Sequence, residues 1–211
     1  YMFIEFWNAS SFNKITKELI GDDYVPVQVQ KEHNFDGYVQ PYYDSPNREE
    51  AASNNLYIDL LGQSKEYAWF YTPYLLLGDG LRDAFVRAAK RGVDVRIVMP
   101  GIPDKKPVYR MSRSYYRELL EAGVRIFEYT PGFVHAKASL VDDCIGSVGT
   151  VNLDYRSLYL HYECNALFYK ASLLLDLKKD FADSMEASWE RTLEDENGII
   201  DGIMRIFAPL V

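Results

Sequence analysis

The sequence predicts an α/β fold built as one layered domain, and three observations carry that prediction. Helical and strand periods alternate from about residue 24 onward. A helix–glycine–strand unit occurs twice, once around Arg91-Gly92-Val93 and again around Ala122-Gly123-Val124. The chain has 211 residues, 48% of them hydrophobic. At that size folding takes roughly 70% of the extended chain's surface out of water, enough for one sizeable core.

Each element follows from its own pattern. Residues 25–31 alternate apolar and polar, as a half-buried strand does, and Pro26 suits an edge or a strand start. Asp44, Ser45, Pro46 and Asn47 form a turn and cap signal for a helix running to about Leu61. Residues 67–72 are a continuous apolar run closed by Pro73, which reads as a buried strand. Leu81, Phe85 and Ala88 share one face of a helix over 81–91, and Gly92 stops it before a strand over 93–99. A helix over 112–122, Gly123 and a strand over 124–129 repeat the unit. Three strands are then predicted, over 133–141, 145–151 and 162–169, followed by a helix over 171–191 and a short acidic tail helix.

Composition removes several classes. Thirty-one Phe, Trp and Tyr residues argue against a disordered chain. No uncharged apolar stretch approaches the ~18 residues a bilayer helix needs. The two cysteines, Cys144 and Cys164, do not make a disulfide framework. The net charge of −8 is unevenly spread. Between Arg82 and Arg117 ten Lys/Arg stand against three Asp/Glu. A globally acidic chain is poorly suited to coating nucleic acid, but a basic segment within it is able to hold a phosphate or to form a solvated helix face. The aromatic start, Tyr1 to Trp7, reads as the last turns of a preceding domain. The expected division is therefore 1–23 as the end of that domain or a linker helix, and 24–211 as the domain proper.

The residues that carry chemistry lie between 133 and 163. His135 and Lys137, two apart on a predicted strand, leave the same face. Each would need a partner in a packed core. A phosphate would use both, because neutral imidazole attacks phosphorus and the ammonium neutralises charge on the nonbridging oxygens. Thr150 and Asn152 share a predicted strand face and add a hydroxyl and an amide. Glu163, on the third strand, is placed to accept a proton from the far nitrogen of the His135 ring and fix its tautomer. Asp142 beside Asp143 reads first as a turn.

Together His135, Lys137, Asp142, Gly149, Thr150 and Asn152 spell H-x-K-x4-D, six residues, then G-[ST]-x-N. That resembles the HKD signature of the phospholipase D superfamily, and Glu163 falls where the family carries a supporting carboxylate. The flanks around Tyr71-Thr72-Pro73-Tyr74, 92–101, 129–135 and 152–157 look like the second half of bacterial cardiolipin synthases. The resemblance implies a phospholipase D-like fold, with a mixed β-sheet flanked by helices on both faces. It implies phosphatidyl transfer through a phosphohistidine with no metal or other cofactor, condensing two phosphatidylglycerols to cardiolipin and glycerol. It makes Asp142 a supporting residue rather than a phosphate contact.

Only one such motif is present. His33 has no lysine two residues on, and His161 shares the face of Glu163 as a neighbour. The second histidine would come from an upstream half of the same chain or from a second copy in a homodimer. The implied partners are phosphatidylglycerol and the anionic membrane surface, with no nucleic acid. The whole protein would sit at the cytoplasmic face of the cell membrane, and this segment would be soluble. Lys105, Lys106, Arg110 and Arg113 follow a strand end and are candidates to meet lipid headgroups. Tyr74, Leu75, Leu76 and Leu77 are candidates to line an acyl-chain path. The alternative readings are a phospholipid hydrolase, a phosphatidylserine synthase or a homodimeric phosphodiesterase or nuclease of the same superfamily. A zinc site from His135, Cys144, His161 and Cys164 is disfavoured by their spacing.

Overall fold

Alternation builds the central strands of the computed structural model, which describes residue 2, residues 5–7 and residues 36–196. In β2 (Tyr67–Tyr71) all five residues are buried. Ala68 and Phe70 join one core, while Tyr67, Trp69 and Tyr71 join a second on the opposite face. β4 (Asp94–Pro100) and β5 (Arg125–Tyr129) follow their glycine stops as predicted. Gly92 and Gly123 have φ of 92° and 98°, the left-handed conformation that ends each helix.

The remaining strands are β1 (Tyr38–Asp44), β3 (Leu75–Leu76), β6 (Ala138–Val141), β7 (Ile145–Gly149), β8 (Leu153–Asp154), β9 (Glu163–Tyr169) and β10 (Ser188–Glu190). Eight of the ten described strands form one mixed sheet in the order β1-β9-β7-β6-β2-β4-β5-β10, and β3 pairs with β8 separately. β2, β4 and β5 run parallel, and the strands on the β6 side alternate in direction.

The helices cover both faces. On one, α1 (Ala52–Gln63), α2 (Asp79–Lys90), α3 (Lys106–Arg113) and α4 (Tyr116–Glu121) contribute Leu61, Phe85, Met111 and Tyr116 to the larger core. On the other, α6 (Leu173–Glu186) contributes Leu174, Phe181 and Met185. Phe181 stacks on Tyr71 with ring centres 4.0 Å apart. The short α5 (Tyr155–Tyr159) joins β8 to β9 and is capped by Asp154, whose side chain accepts from the Ser157 N–H. Among the described residues no helix is long and apolar enough to cross a membrane.

Several expectations are corrected. The predicted strand over 133–141 begins only at Ala138, so His135 and Lys137 precede it. Its neighbour β2 ends opposite Ala138, at Tyr71, and leaves residues 133–137 without a strand to pair with on that side. Likewise β7 stops at Gly149, and Thr150 and Asn152 lie beyond the strand. The helix over 112–122 is two helices, interrupted where the Ser114 hydroxyl bonds the Met111 carbonyl at 2.6 Å. The helix over 171–191 stops at Glu186, and the chain then adds β10 to the free edge of β5. β1, which lies at the edge of the sheet among the described residues and tolerates Pro41, was not predicted. The strand over 25–31, His33 and most of the segment 1–23 lie outside the described residues, as does the tail after residue 196.

Sheet directions set where chemistry can collect. The carboxyl ends of β2, β4 and β5 open at one edge of the sheet. Because β6, β7 and β9 alternate in direction, the start of β6, the end of β7 and the start of β9 open at that same edge. Loops at the carboxyl ends of parallel strands are where α/β sheets bind ligands.

Candidate active site

His135, Lys137, Thr150, Asn152 and Glu163 all meet at this edge, although the sequence spreads them over 29 positions. His135 is exposed, with its ring 5.5 Å from that of Phe133. Burial and the adjoining Lys137 ammonium push its pKa below the usual 6.5, and Asp104 pulls it partly back. The imidazole is therefore neutral at neutral pH, the form that has a lone pair to give. Lys137 is half-buried, and its Nζ donates to the His135 carbonyl at 2.8 Å. Burial lowers its pKa, while the charges of Glu163 and Asp154 favour the ammonium. Lys137 also stays tied to the sheet, because its carbonyl accepts from Gly149 N–H at 3.1 Å.

Glu163 does not hold the His135 ring. Its Oε1 accepts from the Ser157 hydroxyl at 2.6 Å and lies 3.4 Å from His161 Nδ1. Its Oε2 accepts from the Thr150 hydroxyl. The expected Glu163–His135 bond is replaced by a buried clasp that ties β9 to the loop after β7 and to α5. Buried carboxylates need such partners. His161, placed as a neighbour of Glu163 by the sequence, is one.

Asp142 lies apart from the other motif residues. Its carboxylate accepts from the backbone N–H groups of Lys65, Glu66 and Tyr67 at 2.8, 2.9 and 2.8 Å. It thereby anchors the chain entering β2. Asp142 and Asp143 have φ of 50° and 53° in a turn closed by Cys144 N–H to Val141 O. Positive φ at both central positions is what a tight hairpin turn of the type I′ class requires, and Asp tolerates it. This turn lies at the opposite end of β6 from His135.

The loop after β7 has its own support. Asn165 Oδ1 accepts from Thr150 N–H at 2.8 Å, and its Nδ2 donates to the hydroxyls of Tyr42 at 2.8 Å and Tyr57 at 3.3 Å. Asn152 N–H donates to the Ser157 hydroxyl at 2.9 Å, while its buried Oδ1 has no donor among the described residues. Its side chain also helps hold the Asp154 carboxyl, whose pKa burial nevertheless raises. Ser157, Asn165 and Tyr42 were not singled out from sequence. Asn165 had a usable signal, since it sits two residues beyond Glu163 and so on the same face of β9.

The basic stretch is largely helical: Lys106, Arg110 and Arg113 lie on α3. Arg113 is paired with the buried Glu196 at 3.2 Å, which removes it from the candidate lipid contact, whereas Lys105, Lys106 and Arg110 are exposed. Leu75, Leu76 and Leu77 are buried in the core, so the expected acyl path does not run along them. Among the described residues no group of three or more His, Cys, Asp or Glu side chains is placed to hold a metal ion.

The family described as cardiolipin synthase, PLD-like domain, matches residues 57–189. This chain belongs to that family. The matched part of the PLD-like domain runs from α1 through β10 and includes every motif residue. An uncharacterized protein of Streptococcus mutans is 41% identical across 100% of this chain and 46% of its own length. Cardiolipin synthase 2 of Bacillus cereus is 33% identical across 100% of this chain and 41% of its own length. The chain thus spans less than half the length of these curated relatives. Among solved structures, the phospholipase D family member Nuc from Salmonella typhimurium matches with a TM-score of 0.62 at 18% identity, over 74% of this chain and 98% of that one. The phosphatidylserine synthase of Haemophilus influenzae matches with the same TM-score and identity, over 82% and 45%. At that identity these two structures establish the PLD-like fold.

Proposed function

We propose that this PLD-like domain, residues 24–211, supplies one half of an active site for phosphatidyl transfer, and that the whole protein condenses two phosphatidylglycerols to cardiolipin and glycerol. The observation that carries this reading is the convergence of a neutral His135, the Lys137 ammonium and the Thr150–Asn152 loop at one sheet edge. The relatives named cardiolipin synthase support the choice of substrate.

In this reading an imidazole nitrogen of His135 attacks phosphorus, forming an N–P bond as the P–O bond to glycerol breaks. A second histidine, from an upstream half or a second copy, gives the departing glycerol its proton. It then takes the proton from the primary hydroxyl of the second phosphatidylglycerol, whose oxygen displaces His135 from phosphorus. Lys137 neutralises charge on the nonbridging oxygens throughout. Glu163 acts by holding the Thr150 loop in place, and Asp142 by anchoring the strand next to β6. The protein would work at the cytoplasmic face of the membrane, with Lys105, Lys106 and Arg110 toward anionic lipid.

Release of glycerol and cardiolipin from phosphatidylglycerol vesicles tests the reading, with His135→Ala as control. Turnover by this chain alone assigns the second histidine to another copy. Turnover that appears only with the upstream half assigns it there. Undiminished transfer by His135→Ala would overturn the reading.

A further inference from the structure

The reaction outlined above leaves one polar pair beside the motif without a task. β3 and β8 run parallel with Leu75 opposite Leu153, so one residue back along each chain Tyr74 stands level with Asn152. The Tyr74 hydroxyl donates to Asp104 Oδ2 at 2.5 Å. Lys105 Nζ lies 5.9 Å from the centre of the same ring. Asp104 follows β4, at the edge where His135 and Asn152 lie, and its charge is near enough to favour the His135 imidazolium. Asp104 is exposed, and among the described residues its Oδ1 accepts from no protein group.

A carboxylate is a poor neighbour for a phosphate, because the two anions repel. What Asp104 offers instead is acceptor lone pairs, and only a donor can use them. Tyr74 fixes the direction of those lone pairs: burial and Asp104 raise its pKa, so the phenol keeps its proton and goes on donating. The donors a glycerol headgroup brings next to its phosphate are its two vicinal hydroxyls.

We propose that Asp104, held by Tyr74, is a specificity-determining acceptor that takes hydrogen bonds from the vicinal hydroxyls of a glycerol esterified to the phosphate at His135 and Lys137. The inference rests on the phosphodiester reading of that site. It concerns the part of the substrate in which phospholipids differ. A plain alkyl group in the same place would offer no donor at all.

Calorimetric titration of the native protein with two water-soluble diesters tests this without requiring turnover. Glycerophosphoglycerol carries the diols, and diethyl phosphate carries the same charge without them. The unaltered protein should bind glycerophosphoglycerol more tightly. Asp104→Ala should weaken that binding about 10-fold or more, as the loss of a charge-assisted hydrogen bond does, and leave diethyl phosphate unchanged or slightly improved. Tyr74→Phe should give a smaller loss of the same selectivity. If thermal melting shows Asp104→Ala unfolded, Asp104→Asn, which keeps the size and loses the charge, takes its place. Lys137→Ala should weaken both diesters alike. An equal effect of Asp104→Ala on the two diesters, or no effect on either, would overturn the inference while leaving the phosphodiester site standing. Failure of the unaltered protein to bind either diester would overturn both.

Discussion

The carboxamide of Asn165 occupies the space where a side chain on Gly149 would have to go. That contact explains why the motif has glycine before Thr150. The same carboxamide accepts from the Thr150 N–H and so sets the path of the loop that follows. Gly149→Ala should therefore cost about 1–3 kcal/mol, as overpacking does, or about 2–4 °C of melting temperature per kcal/mol at this size. Pairing it with Asn165→Ala should recover part of the loss, giving a non-additive cycle. Recovery stays partial because the Cys164 carbonyl crowds the same position. Additive losses in thermal melts would show that Asn165 is not what excludes the side chain.

Asp142 and His135 belong to one motif and should separate cleanly in their effects. Asp142→Ala removes the acceptor of three backbone N–H groups at the entry to β2 and should destabilise the fold by about 2 kcal/mol or more. His135→Ala removes an exposed ring and should leave urea unfolding within about 0.5 kcal/mol of the parent. In transfer assays on protein that remains folded, the order should reverse, with His135→Ala the more damaging. Unchanged stability of Asp142→Ala would remove the anchoring role.

The sign of the pH dependence follows from the His135 surroundings. In the proposed reaction the imidazole attacks in its neutral form, so kcat/KM should fall on the acid side, with its midpoint below 6.5 because burial and Lys137 disfavour the imidazolium. Lys137→Met removes one of those effects and should move the acid limb to higher pH. Asp104→Asn removes a charge that favours the imidazolium and should move the limb to lower pH. Shifts of the same sign in both variants of the native protein would contradict the electrostatic account. The comparison uses the position of the limb, since Lys137→Met also lowers the rate.

The two cores were open to reading from pattern because β2, β4 and β5 are buried on both faces and bounded by glycine or proline. Packing there can be checked through Phe181, which stacks on Tyr71 and touches Trp69 at 6.0 Å between ring centres. Phe181→Ala should cost about 3–5 kcal/mol in urea unfolding. The site was legible as residue types in a spacing, but its geometry was not. Whether His135 lies in a strand depends on how far its neighbour runs, and β2 stops at Tyr71. Glu163 looked like a partner for His135 because both are polar and near the same edge. Its oxygens are instead taken by Ser157 and Thr150, contacts fixed by how α5 folds back onto β9. β1 was hidden by its own edge position: pairing with β9 alone among the described residues, it tolerates Pro41 and keeps no strict alternation.

The same pairing logic sorts the basic residues near the site. Lys105, Lys106 and Arg110 are exposed, whereas Arg113, at the end of α3, is held by Glu196. Glu196 also accepts from Arg191, which in turn lies 3.7 Å from Glu128. Removing Arg113 would therefore disturb a buried array, and Arg113→Gln should lower the melting temperature. The three exposed cations are free to meet an anionic surface, where each is worth about 1 kcal/mol. Replacing Lys105, Lys106 and Arg110 by Gln should weaken sedimentation with phosphatidylglycerol vesicles by roughly two orders of magnitude at low salt, with little change in melting temperature. The difference should shrink as salt is raised, because screening removes the attraction. Equal vesicle binding by parent and triple variant at low salt would make these residues a solvated helix face and nothing more.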